Sequence, residues 1–274
     1  MSAAVGIVVP TYNEERNIGR LLRSIAAQEN VQYEVVIVDE HSSDRTLEIA
    51  RSFCCNILSV PERRNYMPPG ANRNLGARAL STEILLHLDA DMELPDRHFL
   101  ERLVRAFDNW HRAVVIHESD IASGFWSRCK ALERRCYLDS PLEAARAVTR
   151  EFFLEVGGYD DEIVSGEDLH LSVRYQRVTR LRSAGDLYLW HHTGAPSLGR
   201  LLMKKYRYGM GAVAFARRAG AFGPRFIVRE SMRAYLRNIS YLKRDPLHFV
   251  GMIWLRLLEY VAVQLGMLAR GSSP

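Results

Sequence analysis

The chain has 274 residues, of which 47% are hydrophobic and 25% charged, a balance that excludes disordered and fibrous proteins. This length can bury the core of one large α/β domain, or of a domain with an extension. The net charge of +5 is concentrated in one segment, because residues 200–244 contain twelve lysines and arginines and a single acid, Glu230. The cysteines lack the spacing of a zinc site or disulfide framework, and residues 1–10 do not resemble a signal peptide, so a cytoplasmic protein is expected.

The first half of the chain alternates predicted strands with predicted helices. The strands are apolar runs at 5–9, 33–38, 83–88 and 114–116, and helices are expected at 17–28, 43–52 and 96–107. Apolar strands joined by crossover helices indicate an α/β fold with a mostly parallel sheet and helices on both faces. From about residue 195 onward, helical patterns follow without strands. We therefore predict an α/β domain at 1–195 and a basic, amphipathic helical extension at 196–274.

Polar residues directly follow three of the predicted strands, at 10–14, 39–41 and 89–91. Ligands of parallel sheets bind beyond the carboxyl ends of the strands, so these segments predict a shared site. No glycine-rich phosphate loop follows the first strand, and a bound diphosphate would need another partner for its charge. The pair Asp89 and Asp91 is either two solvated turn acids or a site for a divalent cation, Mg²⁺ or Mn²⁺.

Two further groups of residues have both a structural and a functional interpretation. Glu167 and Asp168 begin a predicted helix after a Gly-Gly turn at 157–158. They are either an acid pair that favours a helix N-terminus or include a general base. His191 and His192 close an apolar alternation at 187–190, where a histidine is either structural or a metal ligand.

Five segments, taken in order, resemble the motifs of glycosyltransferase family 2, whose members have the GT-A fold. They are Val-Pro-Thr-Tyr-Asn-Glu at 9–14, Val-Asp-Glu-His-Ser-Ser-Asp-Arg-Thr at 38–46, Gly-Ala-Asn-Arg-Asn-Leu-Gly at 70–76, Leu-Asp-Ala-Asp at 88–91, and Gly-Gly-Tyr-Asp at 157–160 with Glu-Asp at 167–168. The resemblance extends from residue 8 to about residue 192. It implies an enzyme that transfers a sugar from a nucleotide-diphosphate donor, with a divalent cation as cofactor and inversion at the anomeric carbon.

The resemblance also implies a role for particular residues. The implied donor-binding residues are Pro10, Tyr12, Glu14, Asp39, Arg73 and Asp89. The implied metal ligands are Asp91, Asp89 and one of His191 and His192, and the strand alternation does not say which. The implied catalytic residues are Asp168, as the base that deprotonates the acceptor hydroxyl, and its neighbour Glu167.

The sequence departs from the family pattern at several positions. Glu40 and His41 stand where Asp-Gly is common, and Asn72 stands where alanine is usual, so the choice between a UDP- and a GDP-sugar stays open. The Gln-x-x-Arg-Trp signature of processive members is absent, since residues 176–180 lack the tryptophan. The resemblance therefore implies a non-processive enzyme.

The C-terminal third offers two candidate membrane signals. Arginines recur at every fourth residue from Arg225 to Arg237, and such a stripe is either a solvated helix face or a site for an anionic surface or pyrophosphate. Residues 247–268 are long enough to span a membrane, but His248, Arg256 and Glu259 fall on one side of the helix. An amphipathic helix at the membrane interface, or docked on the protein, fits this pattern better.

These features predict a protein peripheral to the inner face of the cell membrane, with an anionic membrane surface as partner and no nucleic acid. The expected substrates are a nucleotide-sugar donor and a glycan or lipid-linked acceptor. One alternative is a polyprenyl-phosphate glycosyltransferase. Another is a catalytically inactive sugar-binding module of the GT-A fold, although the presence of all four acids at 89, 91, 167 and 168 argues against it.

Overall fold

A computed structural model describes residues 4–53, 55–60, 68–219 and 223–271. The chain forms two compact units, the first made of Met1–Glu118, Ala144–Asp161 and Glu167–His192. The second is made of Ser119–Glu143, Glu162–Gly166 and Thr193–Pro274. The last part of the second unit begins at Thr193, three residues before the extension predicted at 196–274, and this unit also takes in two segments from the middle of the chain.

Within the described ranges, eight strands form one sheet, in the order β3-β2-β1-β4-β7-β6-β8-β5. Their bounds are β1 Val5–Thr11, β2 Tyr33–Asp39, β3 Asn56–Ser59, β4 Ile84–His87, β5 Met92–Glu93, β6 Ala113–Ala122, β7 Ala145–Thr149 and β8 Arg182–Gly194. The helices of the first unit are α1 Ile18–Ala26, α2 Thr46–Arg51, α3 Pro69–Ala79, α4 Phe99–Arg105, α6 Arg150–Glu155 and α7 Glu167–Gln176. Those of the second unit are α5 Phe125–Cys136, α8 Leu198–Ala219, α9 Pro224–Arg237, α10 Ile239–Leu242 and α11 Pro246–Gly271.

The predicted α/β fold with helices on both faces of the sheet is confirmed. Strand β1 is buried along nearly its whole length and pairs in parallel with β2 and β4, while β2 pairs in parallel with β3. Alternate β1 residues contribute to two different cores, since Ile7 packs in a cluster with α1 and α4 and Val8 in a cluster with α3, α6 and α7. This alternation follows from the two-residue period of a strand that is covered on both sides.

Strand β7, in the interior of the sheet, was not predicted. The run at 114–116 lies in β6 and has the same direction as β4, but β7 lies between them and is antiparallel to both. Strand β7 has no apolar run to reveal it, because its sequence is Ala-Arg-Ala-Val-Thr with a buried arginine, Arg146, in it. The short strand β3 was also missed, since it holds only four residues and begins with Asn56.

The predicted helical character of the C-terminal part is confirmed, because the described residues from Leu198 onward form helices α8 to α11. The core of the second unit combines α5, α9, α10 and α11 through residues such as Cys129, Leu132 and Leu255. Helices α8 and α11 approach closely at Gly209, where a Cβ atom would lie 2.2 Å from the carbonyl oxygen of Val263. Glycine is therefore required at this crossing. Residues 220–222 and 272–274 of the predicted extension lie outside the described residues.

A second close approach tests the packing of α3 on the sheet. A Cβ atom on Gly76 would lie 2.5 Å from Cγ1 of Val8 and 3.0 Å from Cγ2 of Val38. We predict that Gly76→Ala lowers the free energy of unfolding by about 1–3 kcal/mol, the usual cost of overpacking, although alanine favours the helix. Denaturant unfolding followed by circular dichroism measures the change.

Gly199→Ala is the matched control for this substitution. Gly199 is exposed in the first turn of α8, and a Cβ atom there meets nothing within 4 Å. This variant should keep or gain stability, by up to about 1 kcal/mol from helix propensity. Equal effects of the two substitutions would contradict the packing argument.

Candidate active site

The carboxyl ends of β1 and β2 are tied together through Asp39, the last residue of β2. The Asp39 carboxylate accepts hydrogen bonds from the backbone N–H of Ser42 at 2.9 Å, from Ser42 Oγ at 2.6 Å and from Thr11 Oγ1 at 3.2 Å. Pro10 and Thr11 end β1 beside it, and Tyr12 follows with its ring exposed. Asp39 therefore fixes the loop after β2, and Tyr12 offers an aromatic face at the same edge of the sheet.

Reciprocal hydrogen bonds join the loop after β1 to the loop after β2. The N–H of Asn13 donates to Ser42 Oγ and the N–H of Ser43 donates to Asn13 Oδ1, each at 2.9 Å. The N–H of Glu14 donates to Thr46 Oγ1 at 2.7 Å. Burial raises the pKa of Glu14, the hydrogen bond from Asn17 opposes this effect, and the nearby Asp91 and Asp89 raise it further. Glu14 thus lies close enough to the Asp-Ala-Asp segment for the negative charges of that segment to raise its pKa.

Two of the departures from the family pattern contact each other. Asn72, in α3, donates a hydrogen bond from Nδ2 to Oε1 of Glu40, which follows β2. Burial raises the pKa of Glu40, although the bond from Asn72 opposes the shift. An alanine at 72 could not donate a hydrogen bond to a glutamate at 40, so this contact depends on both departures from the family pattern.

Arg73 connects the segments that follow β4 and that begin α7. Its guanidinium is almost fully buried, with 3% of the residue exposed, and donates to Asp89 Oδ1 at 2.6 Å and to Glu167 Oε1 at 3.0 Å. Asp168 Oδ1 lies 3.7 Å from the same guanidinium. Burying a cation is costly unless carboxylates neutralise it, so Arg73 holds together acids that are 78 residues apart in the sequence.

Arg146, which the sequence analysis did not select, is a second buried arginine at the site. It donates to Asp89 Oδ2 at 3.1 Å and, through Nε, to Glu118 Oε1 at 2.7 Å. Burial raises the pKa of Asp89, but Arg146 and Arg73 outweigh it and hold the pKa below its usual range. Both carboxylate oxygens of Asp89 therefore already bind guanidinium groups.

Asp91 and His191 face each other, and Glu118 holds the imidazole from its other side. His191 Nε2 lies 3.2 Å from Asp91 Oδ2, and Nδ1 lies 3.1 Å from Glu118 Oε2. The side chain of His192 is directed elsewhere and pairs with Glu93, with Nε2 2.6 Å from Oε2. Strand β8 sets this difference, because it pairs with β5 in a register that places His191 opposite Met92, next to Asp91.

The pair Asp91 and His191 fits a divalent cation. In the octahedral geometry of Mg²⁺, with ligands about 2.1 Å from the ion, neighbouring ligand atoms are about 3 Å apart. The observed 3.2 Å between His191 Nε2 and Asp91 Oδ2 is close to this separation. Glu118 acts on His191 as metal-bound histidines are usually oriented, by a carboxylate on the second ring nitrogen. Asp89 fits a ligand role less well, since its oxygens are held by arginines.

The two acids at the start of α7 have different surroundings. The side chain of Glu167 is 11% exposed and hydrogen-bonded to Arg73, whereas that of Asp168 is 26% exposed and outside hydrogen-bond distance of Arg73. Burial raises the pKa of Glu167 to about 7, and the charge of Asp168 adds to this while Arg73 opposes it. Asp168 is therefore the more accessible of the two to a substrate.

The Gly-Gly-Tyr-Asp segment is fastened to α3 by Asn74, the neighbour of Arg73. Asn74 Oδ1 accepts from the N–H of Tyr159 at 2.9 Å, and Nδ2 donates to the carbonyl of Tyr159 at 2.9 Å and to Asp161 Oδ1 at 2.7 Å. Gly158 has a φ of 63°, which favours glycine at this turn. The side chain of Asn74 thus joins the 70–76 motif directly to the backbone of the 157–160 motif.

Sequence reasoning brought out most of the residues that meet here but missed Arg146 and Glu118. Asp39, Arg73, Asp89, Asp91 and His191 all belong to the first unit and lie at or near the carboxyl ends of its strands. An arginine between two alanines of a short strand, and an acid after a four-residue apolar run, were the available signals at 146 and 118. Neither forms a motif by itself.

The comparison with known proteins agrees with this arrangement. Residues 6–158, more than half of the chain, match the family model described as "Glycosyl transferase family 2". The chain is 28% identical over 228 residues to glycosyltransferase AglE of Haloferax volcanii, an alignment that covers 76% of this chain and 73% of the relative. It is 34% identical over 131 residues to the undecaprenyl-phosphate 4-deoxy-4-formamido-L-arabinose transferase of Edwardsiella ictaluri, covering 45% of this chain and 40% of the relative.

The fold is also similar to that of a solved structure. The mannosyltransferase PcManGT of Pyrobaculum calidifontis, in complex with GDP-Man and Mn²⁺, superposes with a TM-score of 0.63 at 18% identity, covering 96% of this chain and 86% of that protein.

The match over residues 6–158, together with the similarity of fold, identifies the chain as a glycosyltransferase of the GT-A fold. The chain belongs to glycosyl transferase family 2. It spans between 20% and 73% of the length of several curated relatives with which it aligns.

The raised pKa of Glu167 predicts how stability depends on pH. A carboxyl group whose folded-state pKa is about 7, above the ordinary value of 4.5, stabilises the fold below pH 4.5, and this contribution is lost as the pH rises through 7. Glu167→Gln removes this titration. The free energy of unfolding of the variant, relative to the native protein, should therefore increase between pH 5 and pH 8 in denaturant titrations.

Glu151→Gln, at an exposed position in α6, supplies the control for this measurement. Its stability should run parallel to that of the native protein across the same pH range. Parallel curves for Glu167→Gln as well would show that Glu167 titrates in the folded and unfolded states alike, contrary to the prediction.

Proposed function

We propose that this protein is an inverting, metal-dependent, non-processive glycosyltransferase that moves a sugar from a UDP- or GDP-sugar to an acceptor hydroxyl on a membrane-associated glycan or glycolipid. The observation that carries the proposal is the buried guanidinium of Arg73, which binds Asp89 and Glu167 and lies 3.7 Å from Asp168. It brings the carboxylates assigned to the donor and to the acceptor into one cluster.

The donor would bind at the carboxyl ends of β1, β2 and β4. Asp39 would meet the nucleotide base, Pro10, Tyr12 and Glu14 would shape its pocket, Asp89 would face the ribose and the donor sugar, and Arg73 would lie near the phosphates. Support comes from the exposed ring of Tyr12 beside the buried Asp39 and from the link between Glu14 and the Asp-Ala-Asp segment. The fold similarity to a mannosyltransferase in complex with GDP-Man agrees with a nucleotide-sugar donor.

A divalent cation, Mn²⁺ or Mg²⁺, would be held by Asp91 and His191, with the donor diphosphate supplying further oxygen ligands. When bound, it would act as a Lewis acid that stabilises the charge of the leaving diphosphate. The His191 imidazole faces the Asp91 carboxylate, whereas the His192 imidazole pairs with Glu93, and this difference supports His191 as the histidine ligand. Glu118 would keep the imidazole in position through Nδ1.

Asp168 would be the general base. Its carboxylate is more accessible than that of Glu167 and does not accept a hydrogen bond from Arg73. It would take the proton of the acceptor hydroxyl while the hydroxyl oxygen bonds to the anomeric carbon and the bond from that carbon to the diphosphate breaks. A single displacement from the opposite face inverts the configuration. Glu167 would act by holding Arg73.

A polyprenyl-phosphate glycosyltransferase is the second candidate function. The observation in its favour is the 34% identity over 131 residues with a relative named as an undecaprenyl-phosphate transferase. In this reaction a lipid phosphate oxygen would take the place of the acceptor hydroxyl. Offering the enzyme lipid extracts before and after mild alkaline phosphatase treatment separates the two functions, since only a phosphate acceptor is lost.

We also propose that the protein works at an anionic membrane surface. Helix α9 exposes Arg225, Arg229, Arg233 and Arg237, and the apolar side chains Val228, Met232 and Leu236 are exposed on the same helix. Helix α11 contains a 24-residue stretch, Pro246–Ala269, that is long and apolar enough to cross a membrane by length and composition, and 28% of its most apolar window is buried. Charge and apolar area together give stable attachment to a surface.

The metal prediction concerns Asp91, His191 and His192. A panel of UDP- and GDP-sugars should raise the melting temperature of the native protein more in the presence of Mn²⁺ than in its absence. Asp91→Ala and His191→Ala should abolish this additional rise, because the metal that compensates the diphosphate charge is no longer held. Asp91→Ala should also lose nearly all turnover. His192→Ala, whose side chain pairs with Glu93 instead, should keep both properties. Full activity of the native protein in excess EDTA would contradict the proposed metal dependence.

The base prediction separates binding from chemistry. Asp168→Asn keeps the size of the side chain but removes the base, so transfer should fall by roughly 10²–10⁴-fold, the usual contribution of a general base. Donor affinity, measured by thermal shift with Mn²⁺, should persist within about twofold of native, a change of roughly 0.4 kcal/mol. Transfer at the native rate would mean that another residue is the base, and Glu167→Gln would then be measured next.

The membrane prediction uses the exposed arginines of α9. The native protein should co-sediment with anionic liposomes but hardly with zwitterionic ones, and the attraction should weaken with salt. Replacing Arg229, Arg233 and Arg237 with glutamate should release the protein and leave donor binding intact. The control replaces three exposed arginines of the first unit, Arg23, Arg51 and Arg78, and changes the net charge equally. Equal sedimentation with both lipid types would assign the attachment to α11 alone.

A further inference from the structure

The second unit encloses a cavity of about 540 Å³ between α8, α9 and α11. This volume lies within the range of about 300–1,000 Å³ that is typical of small-molecule sites. Every residue that lines it belongs to the second unit, so the cavity exists independently of the acids around Arg73.

The lining is polar at one end and apolar at the other. Along α11, Arg256 and Glu259 come first, and Val263 and Met267 follow at intervals of about one turn. Helix α9 lines the cavity in the opposite order, with Ile227 and Val228 before Ser231 and Tyr235. The polar ends meet at Glu133 of α5, which accepts hydrogen bonds from Tyr235 and from Arg256. An occupant matched to this lining has one polar and one apolar end.

The charges beside the cavity leave a cation without a carboxylate. Glu133 and Glu259 are both paired with Lys130 and with Arg256. Lys205, on α8, also lines the cavity, and within the described part of the chain its ammonium has no ion pair. Burial, together with the charges of Lys130 and Arg256, lowers the pKa of Lys205 to about 8, while Glu259 and Glu133 oppose the shift. An anionic group would complete this set of charges.

The cavity opens where apolar side chains meet the solvent. Three of its lining residues, Val228, Met232 and Tyr260, are each more than half exposed. Exposed leucines and Val261 continue this apolar surface along α11, and exposed arginines stand beside Val228 and Met232 on α9. A contiguous apolar surface with cations next to it is typical of a site that receives an anionic amphiphile rather than a water-soluble metabolite.

We propose that this cavity binds a lipid with a phosphate head, whose hydrocarbon chain lies between α9 and α11 and whose head is bound by Lys205. Two sources share this chemistry, an isoprenoid phosphate and a phosphate-headed membrane lipid with an acyl chain. The site needs neither the donor nor the metal for binding. If the lipid belongs to the acceptor, the inference extends the proposed function, but its test does not depend on transfer.

The test uses the delipidated full-length chain and three probes: geranylgeranyl phosphate, oleoyl lysophosphatidic acid, and geranylgeraniol as the uncharged analogue. Binding is measured by titration calorimetry and by native mass spectrometry. Lys205→Met removes the ammonium, and Lys204→Met, at the exposed neighbouring position, is its control. Val228→Trp narrows the mouth at an exposed position, and Val250→Trp, equally exposed on α11 but outside the cavity, is its control.

Lys205→Met should weaken binding of both phosphates at least about tenfold, as expected when a charge-assisted hydrogen bond is lost, and should leave geranylgeraniol binding unchanged. Val228→Trp should weaken all three probes, while both controls bind like the native protein. A preference for geranylgeranyl phosphate identifies an isoprenoid ligand, and equal affinity for the two phosphates identifies a general lipid phosphate site.

Absence of saturable binding by the native protein would overturn the inference. So would equal effects of Lys205→Met and Lys204→Met, or of Val228→Trp and Val250→Trp. Thermal shifts with Mn²⁺ and nucleotide sugars on the same variants keep the two proposals separate. A protein that binds lipid but no donor refutes the proposed transferase, and one that binds donor but no lipid refutes this site.

Discussion

The buried positive charge of Arg73 is the constraint on which the rest of the first unit's site depends. A guanidinium that is almost excluded from water needs carboxylates, and Asp89 and Glu167 supply them from two distant segments. Asp89 also binds Arg146, Arg146 binds Glu118, and Glu118 binds His191, which faces Asp91. A continuous series of charged contacts thus runs from α7 to the strand pair β5 and β8. It orders the acids without any glycine-rich loop.

The sequence predicted the ends of this series but not its middle. Asp89, Asp91, Glu167 and Asp168 stand in recognisable segments, because each follows a strand or begins a helix. Arg146 and Glu118 stand in β7 and β6, where nothing in the local pattern separates a site residue from an isolated polar residue. Their role appears only when β7 is inserted beside β4, and strand order depends on long-range pairing that apolar periodicity does not encode.

Pairing also decides two questions of placement that residue spacing left open. Alternation along β8 puts His191 and His192 on opposite sides, but only the register with β5 shows which side holds Asp91. Glu40 and Asn72 read as two unrelated departures from the family pattern, yet the parallel pairing of β1 with β2 and the packing of α3 make them partners. Inspecting positions 40 and 72 separately in the sequence could not show that their side chains form a hydrogen bond. The main α/β architecture, by contrast, follows directly from the apolar runs of β1, β2 and β4.

In the second unit, the amino-acid composition shows one basic segment, but the structure places its cations in two different environments. The basic segment contains arginines that α9 exposes to solvent and a lysine, Lys205, that lines the cavity between α8, α9 and α11. Hydropathy likewise presents α11 as a possible membrane span, but Arg256 and Glu259 use its polar side to pair with Glu133 and Lys130 of α5. Placing that side in hydrocarbon would separate or desolvate these ion pairs. The free energy gained by burying the exposed leucines of α11 in lipid would have to exceed this cost. The contacts therefore favour a helix that is docked on the protein through its polar side over one that spans a membrane.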